Sequence, residues 1–162
     1  MITAICPGSF DPITLGHLDI IRRAADMFDR VIVAVLCNSK KTPAFTVEER
    51  MEMIRKATAD IPNVCIGTFD GLVADYARQQ GATVLVKGLR AVTDFEYEFQ
   101  MALANRKLNP ALETVFITTR AENMYLASSL VKEIARGGGS IEDFVPSVVR
   151  GEIEKRLCKG EK

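Results

Sequence analysis

Net charge, histidine and paired cysteines are all scarce in this 162-residue sequence. Lys and Arg together number 21, as do Asp and Glu, so the formal charge is zero. A dedicated nucleic-acid binder carries a basic excess, so this balance argues against one while leaving room for a local basic patch. No apolar run reaches the roughly 18 residues of a membrane span, and no basic-then-apolar leader opens the chain. The expectation is a soluble, cytoplasmic protein, neither membrane-spanning nor exported. Cys6, Cys37, Cys65 and Cys158 form no Cys-x-x-Cys pair, and the single histidine, His17, cannot complete a Cys/His zinc set. No protein-built metal site is expected. Cys6, Cys37 and Cys65 lie in or beside apolar runs, where a reduced thiol behaves as a small hydrophobe. Also missing are Gly-x-Gly-x-x-Gly and Gly-x-x-x-x-Gly-Lys-Ser/Thr, which removes the main support for hydride transfer and for a P-loop.

What the chain does contain is alternation. Ile2 to Cys6, Val31 to Leu36, Val64 to Thr68, Thr83 to Val86 and Thr114 to Thr118 are short and nearly continuous in apolar residues. Strands covered on both faces have that pattern. Between them, Leu18, Ile21, Ala25 and Phe28 recur at helical spacing, Thr46-Val47-Glu48-Glu49 is a capping box, and Leu72 to Gln80 runs to a stop at Gly81. Such spacing predicts a doubly wound, parallel, five-stranded α/β sheet in one domain over residues 1–162. Gly137-Gly138-Gly139 is expected to end a helix, and the tail beyond Pro146 to form a C-terminal helix. The helix from Thr93 carries two apolar faces. Phe95, Phe99, Ala102 and Leu103 are expected in the core, and Tyr97, Met101, Ala104 and Leu108 at a subunit contact, the alternative being that this second face lines the substrate crevice or packs under the C-terminal helix.

Ligands of a doubly wound sheet bind outside the carboxyl ends of its strands. After the first strand, Pro7-Gly8-Ser9-Phe10-Asp11-Pro12 leads into Thr14-Leu15-Gly16-His17. A Pro- and Gly-rich turn feeding a helix N-terminus suits a phosphate, with His17 as a further donor, although Thr14 capping with His17 filling the first turn is the plainer alternative. Ser39-Lys40-Lys41-Thr42 follows the second strand and Lys87-Gly88-Leu89-Arg90 the fourth, placing cations around one crevice. Gly88 is read as allowing a ligand close to the backbone. Tyr125-Leu126-Ala127-Ser128-Ser129 opens another helix, with Ser128 or Ser129 as N-cap and hydroxyls for nucleotide phosphates. Asp94 and Glu98 share a side of their helix, which usually means a solvated face.

These segments resemble a known family. Thr14-Leu15-Gly16-His17 resembles the (Thr/His)-x-Gly-His signature of the nucleotidyltransferase superfamily, and the likeness continues through Lys87 to Glu98. It spans essentially the whole chain and is similar to the bacterial phosphopantetheine adenylyltransferases, with their Rossmann-like nucleotidyltransferase fold. The resemblance implies adenylyl transfer from ATP to 4′-phosphopantetheine, giving dephospho-coenzyme A and pyrophosphate. It implies magnesium arriving with ATP, a homohexamer and feedback binding of coenzyme A, for a chain whose composition already argues against nucleic acid or membrane as partner. Ser9, Phe10, His17, Gly88, Leu89, Arg90, Glu98 and the stretch Asn123, Met124, Tyr125, Leu126, Ala127, Ser128 and Ser129 then match ATP-binding positions. Ser9, Lys41, Val73 and Lys87 match acceptor-binding ones, and His17, Lys41 and Arg90 are the expected catalytic set. Ala127 stands where many relatives carry a serine, leaving the hydroxyls to Ser128 and Ser129. A sister transferase acting on nicotinamide mononucleotide or glycerol phosphate would share Thr14 to His17 but not Lys87 to Glu98. A non-catalytic nucleotide-binding module would share the fold alone.

Overall fold

The computed structural model describes residues 1–37 and 42–158. Five strands form one parallel sheet: β1 (Thr3–Gly8), β2 (Arg30–Leu36), β3 (Val64–Phe69), β4 (Val84–Leu89) and β5 (Glu113–Thr118). The helices are α1 (Leu15–Met27), α2 (Val47–Ala57), α3 (Val73–Gln80), α4 (Val92–Leu108), α5 (Ser128–Arg136) and α6 (Ser147–Leu157). The strand order β3-β2-β1-β4-β5 shows why a crevice forms where it does. The chain winds outward from β1 to β3, then returns to place β4 on the other side of β1. Connections therefore leave β1 and β4 in opposite directions, and a gap opens above their carboxyl ends.

The strands' two-residue period divides the core into two layers. Ala4 and Cys6 of β1 with Val31, Val33 and Val35 of β2 face a cluster that includes Ile21, Ile54, Val131 and Ile153. Ile5, Ile32, Ala34 and Leu85 face the other way, onto Ala74 and Ala77 of α3. Covering both faces is what the near-continuous apolar runs demanded. The Thr46 capping box forms as expected, with the Thr46 hydroxyl accepting the Glu49 N–H at 3.1 Å and the Glu49 carboxylate accepting the Thr46 N–H at 2.8 Å. Gly81 ends α3 at φ +63°, a conformation that costs any side chain. Gly137 caps α5, and α6 buries Val149, Ile153 and Leu157.

Four expectations are corrected. β4 does not stop at Val86: Lys87, Gly88 and Leu89 pair with Phe116, Ile117 and Thr118 of β5, so only Arg90 follows the strand. The N-cap of α5 is Ala127, without a side-chain bond, because the Ser128 hydroxyl instead donates to the Pro12 carbonyl at 2.8 Å. Cys37 is exposed, where a core thiol was expected, while Cys6 is buried. Most consequentially, α4 turns its polar side inward. Phe95, Phe99 and Leu103 are 42%, 46% and 56% exposed, whereas Asn105 is buried and Asp94, Glu98 and Ala102 are half-buried. The reason is electrostatic: Arg90 and Lys87 wait on the sheet side as partners for the two carboxylates.

Candidate active site

The loop between β1 and α1 is held from three directions. Asp11, 7% exposed, accepts the N–H groups of Ala44 and Phe45, both at 2.9 Å, and the Lys132 ammonium at 3.0 Å. Phe10 sits in the left-handed region at φ +49°, uncommon for a non-glycine residue and characteristic of constrained functional loops. Two cavities open on either side of this loop. The first, of about 330 Å³, is lined by Gly8, Phe10, Gly16, His17, Arg90, Asn123, Ala127 and Ser128 among others. The second, of about 320 Å³ and more apolar, is lined by Ser9, Leu36, Phe69, Val73, Tyr97, Met101 and Asn105 among others. Pro7, Gly8, Lys87 and Glu98 line both.

His17 is the third residue of α1. Thr14 is the N-cap: its hydroxyl accepts the His17 N–H, and His17 Nδ1 accepts the Thr14 N–H at 3.0 Å. The plainer alternative, helix capping, is therefore true. It does not exhaust the residue. A ring nitrogen that accepts a backbone N–H carries no proton, so the neutral ring bears its hydrogen on Nε2. Burial, with the positive charges of Arg90 and Lys87, pushes the imidazole down to about 4. At neutral pH His17 thus presents a fixed N–H donor without a charge. The Phe10 ring packs against it edge-on at 5.0 Å.

The cations are not loose. Lys87 Nζ lies 3.3 Å from Glu98 Oε1. Arg90 Nε lies 3.2 Å from Asp94 Oδ2, and its Nη1 donates to the Leu126 carbonyl at 2.8 Å, tying β4 to the entry of α5. Two helix N-termini converge on the first cavity, since Gly16 belongs to the first turn of α1, and Ala127 and Ser128 open α5. Their free N–H groups and dipoles favour an anion. Gly88 leaves little room for a side chain: a Cβ there would meet Ile20 Cγ1 at 3.0 Å, so Ile20 would have to give way. Cys6 borders the cavity too, but burial pushes its thiol up to about 12, so it stays protonated and unreactive.

Phe10, His17, Gly88, Arg90, Glu98, Asn123, Leu126, Ala127 and Ser128 thus come together at the first cavity, and Ser9, Val73 and Lys87 at the second. Leu89, Met124, Tyr125 and Ser129 line neither cavity, and Met124 and Tyr125 are 51% and 55% exposed. Lys41, with Ser39 and Lys40, lies outside the described residues. Sequence reasoning set Asp94 aside as solvated, although it lines the first cavity and secures Arg90. Its spacing of four from both Arg90 and Glu98 was the available signal. The cavity-lining role of Tyr97 and Met101 was considered only as an alternative to a subunit contact.

The chain is similar to known proteins along nearly its whole length. The cytidylyltransferase-like family model matches residues 5–134. The chain is 54% identical over 159 residues to a phosphopantetheine adenylyltransferase of Caldanaerobacter subterraneus subsp. tengcongensis, covering 98% of this chain and 99% of that one. It is 55% identical over 159 residues to a protein of the same name from Symbiobacterium thermophilum, covering 98% of each chain. A third of that name, from Lachnoclostridium phytofermentans, is 55% identical over 149 residues, 92% of this chain and 91% of its own.

Proposed function

The chain belongs to the phosphopantetheine adenylyltransferase family: it is a nucleotidyltransferase that adenylates 4′-phosphopantetheine in coenzyme A biosynthesis, and we propose that it does so by direct in-line transfer where its two cavities meet. The observation carrying this reading is the pair of cavities sharing Gly8, Lys87 and Glu98, one polar and crowned by two helix N-termini, the other apolar enough for a pantetheine arm. ATP occupies the first and phosphopantetheine the second. A 4′-phosphate oxygen attacks the α-phosphorus, the bond to the bridging oxygen breaks, and pyrophosphate leaves. The nucleophile is already an anion, so no general base is needed, and positioning with charge stabilisation suffices. His17 donates its Nε2–H to the α-phosphoryl oxygens, and Arg90 neutralises the leaving pyrophosphate. Ser9, Val73 and Lys87 hold the acceptor, with Lys41 assigned beside them by family resemblance. Phe10, Gly88, Leu89, Glu98 and Asn123 to Ser129 are assigned to ATP on the same ground.

Magnesium enters with the triphosphate. Among the described residues no three His, Cys, Asp or Glu groups converge on a point, and Asp94 and Glu98 are engaged by Arg90 and Lys87. Arriving on the triphosphate, it would keep phosphate and water oxygens as ligands and would supply neutralisation of phosphate charge. Coenzyme A, sharing parts of both substrates, would compete for both cavities. We place the protein in the cytoplasm, as one domain over residues 1–162; none of its described helices is long and apolar enough to cross a membrane.

Pyrophosphate release from ATP, assayed with phosphopantetheine, nicotinamide mononucleotide and glycerol phosphate, tests the function. Release with phosphopantetheine alone is expected, and release with none would reduce the chain to a binding module. Within that assay, Lys87→Ala should raise KM for phosphopantetheine more than KM for ATP, and Arg90→Ala the reverse. Equal effects of both variants on both substrates would mean one undivided electrostatic funnel.

Assembly as a homohexamer is part of the proposal, with a changed contact face. Tyr97 and Met101 already line the second cavity, whereas Phe95 and Phe99, stacked at 5.5 Å, and Leu103 stand exposed without such a role. An apolar stripe of that kind on a soluble enzyme marks an interface. Phe99→Asp combined with Leu103→Asp should yield a smaller particle by light scattering. A folded double variant keeping the parent's mass would exclude this face.

A further inference from the structure

Among the described residues, the largest side chain that the fold encloses completely is an arginine. Arg50 of α2 is 1% exposed, and among the described residues every hydrogen bond it makes goes to a main-chain carbonyl, none to a carboxylate. A buried guanidinium without a counter-ion is costly to retain. Its acceptors indicate what it secures. Nε reaches the Thr46 carbonyl at the N-cap of α2, and Nη1 reaches Leu36 at the end of β2 and Ser9 at 2.7 Å. The Ser9 contact is much the shorter of the two that Nη1 makes, and Ser9 borders the second cavity.

The Ser9 carbonyl shares a planar peptide with the Phe10 N–H. In a trans peptide the two point in opposite directions, so a carbonyl turned inward to Arg50 sends the N–H outward. Phe10 itself is 5% exposed, and its N–H finds no acceptor among the described residues. Phe10 borders the first cavity, so an N–H turned that way is placed to donate to a ligand held there. The φ of +49° at Phe10 is a conformation the loop would not hold unaided. Donation from a cation also polarises the peptide and strengthens its N–H as a donor.

We propose that Arg50 is a positioning residue for adenylyl transfer: by holding the Ser9 carbonyl inward it aims the Phe10 N–H at the reacting phosphates between the two cavities. This rests on the adenylyl-transfer reading above. Arg50 touches no substrate and acts through one peptide unit, so its removal misplaces a transition-state donor rather than a binding group. Arg50→Met removes all donors at similar length. Arg50→Lys keeps the charge and one donor for Ser9.

In Arg50→Met, still melting cooperatively, kcat should fall about tenfold or more with both KM values within about threefold of the parent, and Arg50→Lys should recover part of that loss. In the unmodified protein, added pyrophosphate should move the Phe10 amide proton resonance downfield, and less so in Arg50→Lys. A folded Arg50→Met with kcat within about twofold of the parent overturns the proposal. So does a Phe10 resonance that pyrophosphate leaves in place in the parent, a result that holds even where a variant fails to fold. Failure of the underlying function looks different: the parent itself would release no pyrophosphate from ATP with phosphopantetheine.

Discussion

His17→Ala is expected to lower kcat about 100- to 1000-fold while changing KM for ATP by only a few-fold. The Nε2–H is fixed in direction by the Thr14 N–H on the opposite nitrogen, so it costs no reorganisation when charge builds on the α-phosphoryl oxygens. Lost capping contributes only about 1 kcal/mol of stability and leaves the fold in place. Steady-state pyrophosphate release decides this, and a kcat within a few-fold of the parent would leave the ring with its capping role alone. The same substitution changes the response to acid. The folded protein holds His17 near 4, below its unfolded value of about 6.5, so the native state resists a proton that the unfolded chain accepts. The corresponding stability is complete above about pH 6.5 and is lost as pH falls toward 4. It amounts to something on the order of 3 kcal/mol, and the alanine variant should lack that part of the slope in denaturant titrations.

Asp11→Ala should lower stability by about 3 kcal/mol, which for a chain of this size means a Tm lower by roughly 6–12 °C. One carboxylate there serves the Ala44 and Phe45 N–H groups and the Lys132 ammonium. Its removal strands a half-buried cation and two backbone donors, and partners left behind cost more than the bonds themselves are worth. Adding Lys132→Met should therefore restore part of the lost Tm, since it removes the stranded charge. Calorimetry of both variants is the check. A loss below about 1 kcal/mol in Asp11→Ala would mean that water replaces the carboxylate.

The strands were legible because burial on two faces leaves an unbroken apolar run, as in Val31 to Leu36, bounded by turn residues and rich in β-branched side chains. The Thr46 capping box was legible because its chemistry is local. The orientation of α4 was not, since periodicity finds apolar stripes but cannot know that Arg90 and Lys87 will offer partners to Asp94 and Glu98 across the chain. Nor was the cap of α5: the Ser128 hydroxyl has a competing acceptor in Pro12, 116 residues away in sequence. Arg50 hid in a Glu-Glu-Arg run that reads as surface. Its phase gave it away, because it lies three, four and seven residues before Met53, Ile54 and Ala57, the buried stripe of α2. The position of the Thr14 to His17 motif at the start of α1 was legible because a helix N-terminus is specified within four residues. Met124, Tyr125 and Ser129 were assigned as a continuous stretch, whereas the chain there turns through a short 3-10 helix at Ala121–Asn123 and presents only some side chains to the crevice.

Lys87 and Glu98 form a wall common to both cavities, joined by a single ion pair. On the proposed assignment, an anion on either side would draw on the same ammonium and unsettle the same carboxylate, so each ligand would alter what the other meets. Thermodynamic linkage then fixes a symmetry: the factor by which ATP changes the affinity for the acceptor is the factor by which the acceptor changes the affinity for ATP. A substitution at Lys87 or Glu98 therefore changes the conversation between the substrates as well as the grip on each. On the proposed site, the coupling between the two substrates becomes a property of one shared partition, formed by two side chains from β4 and α4.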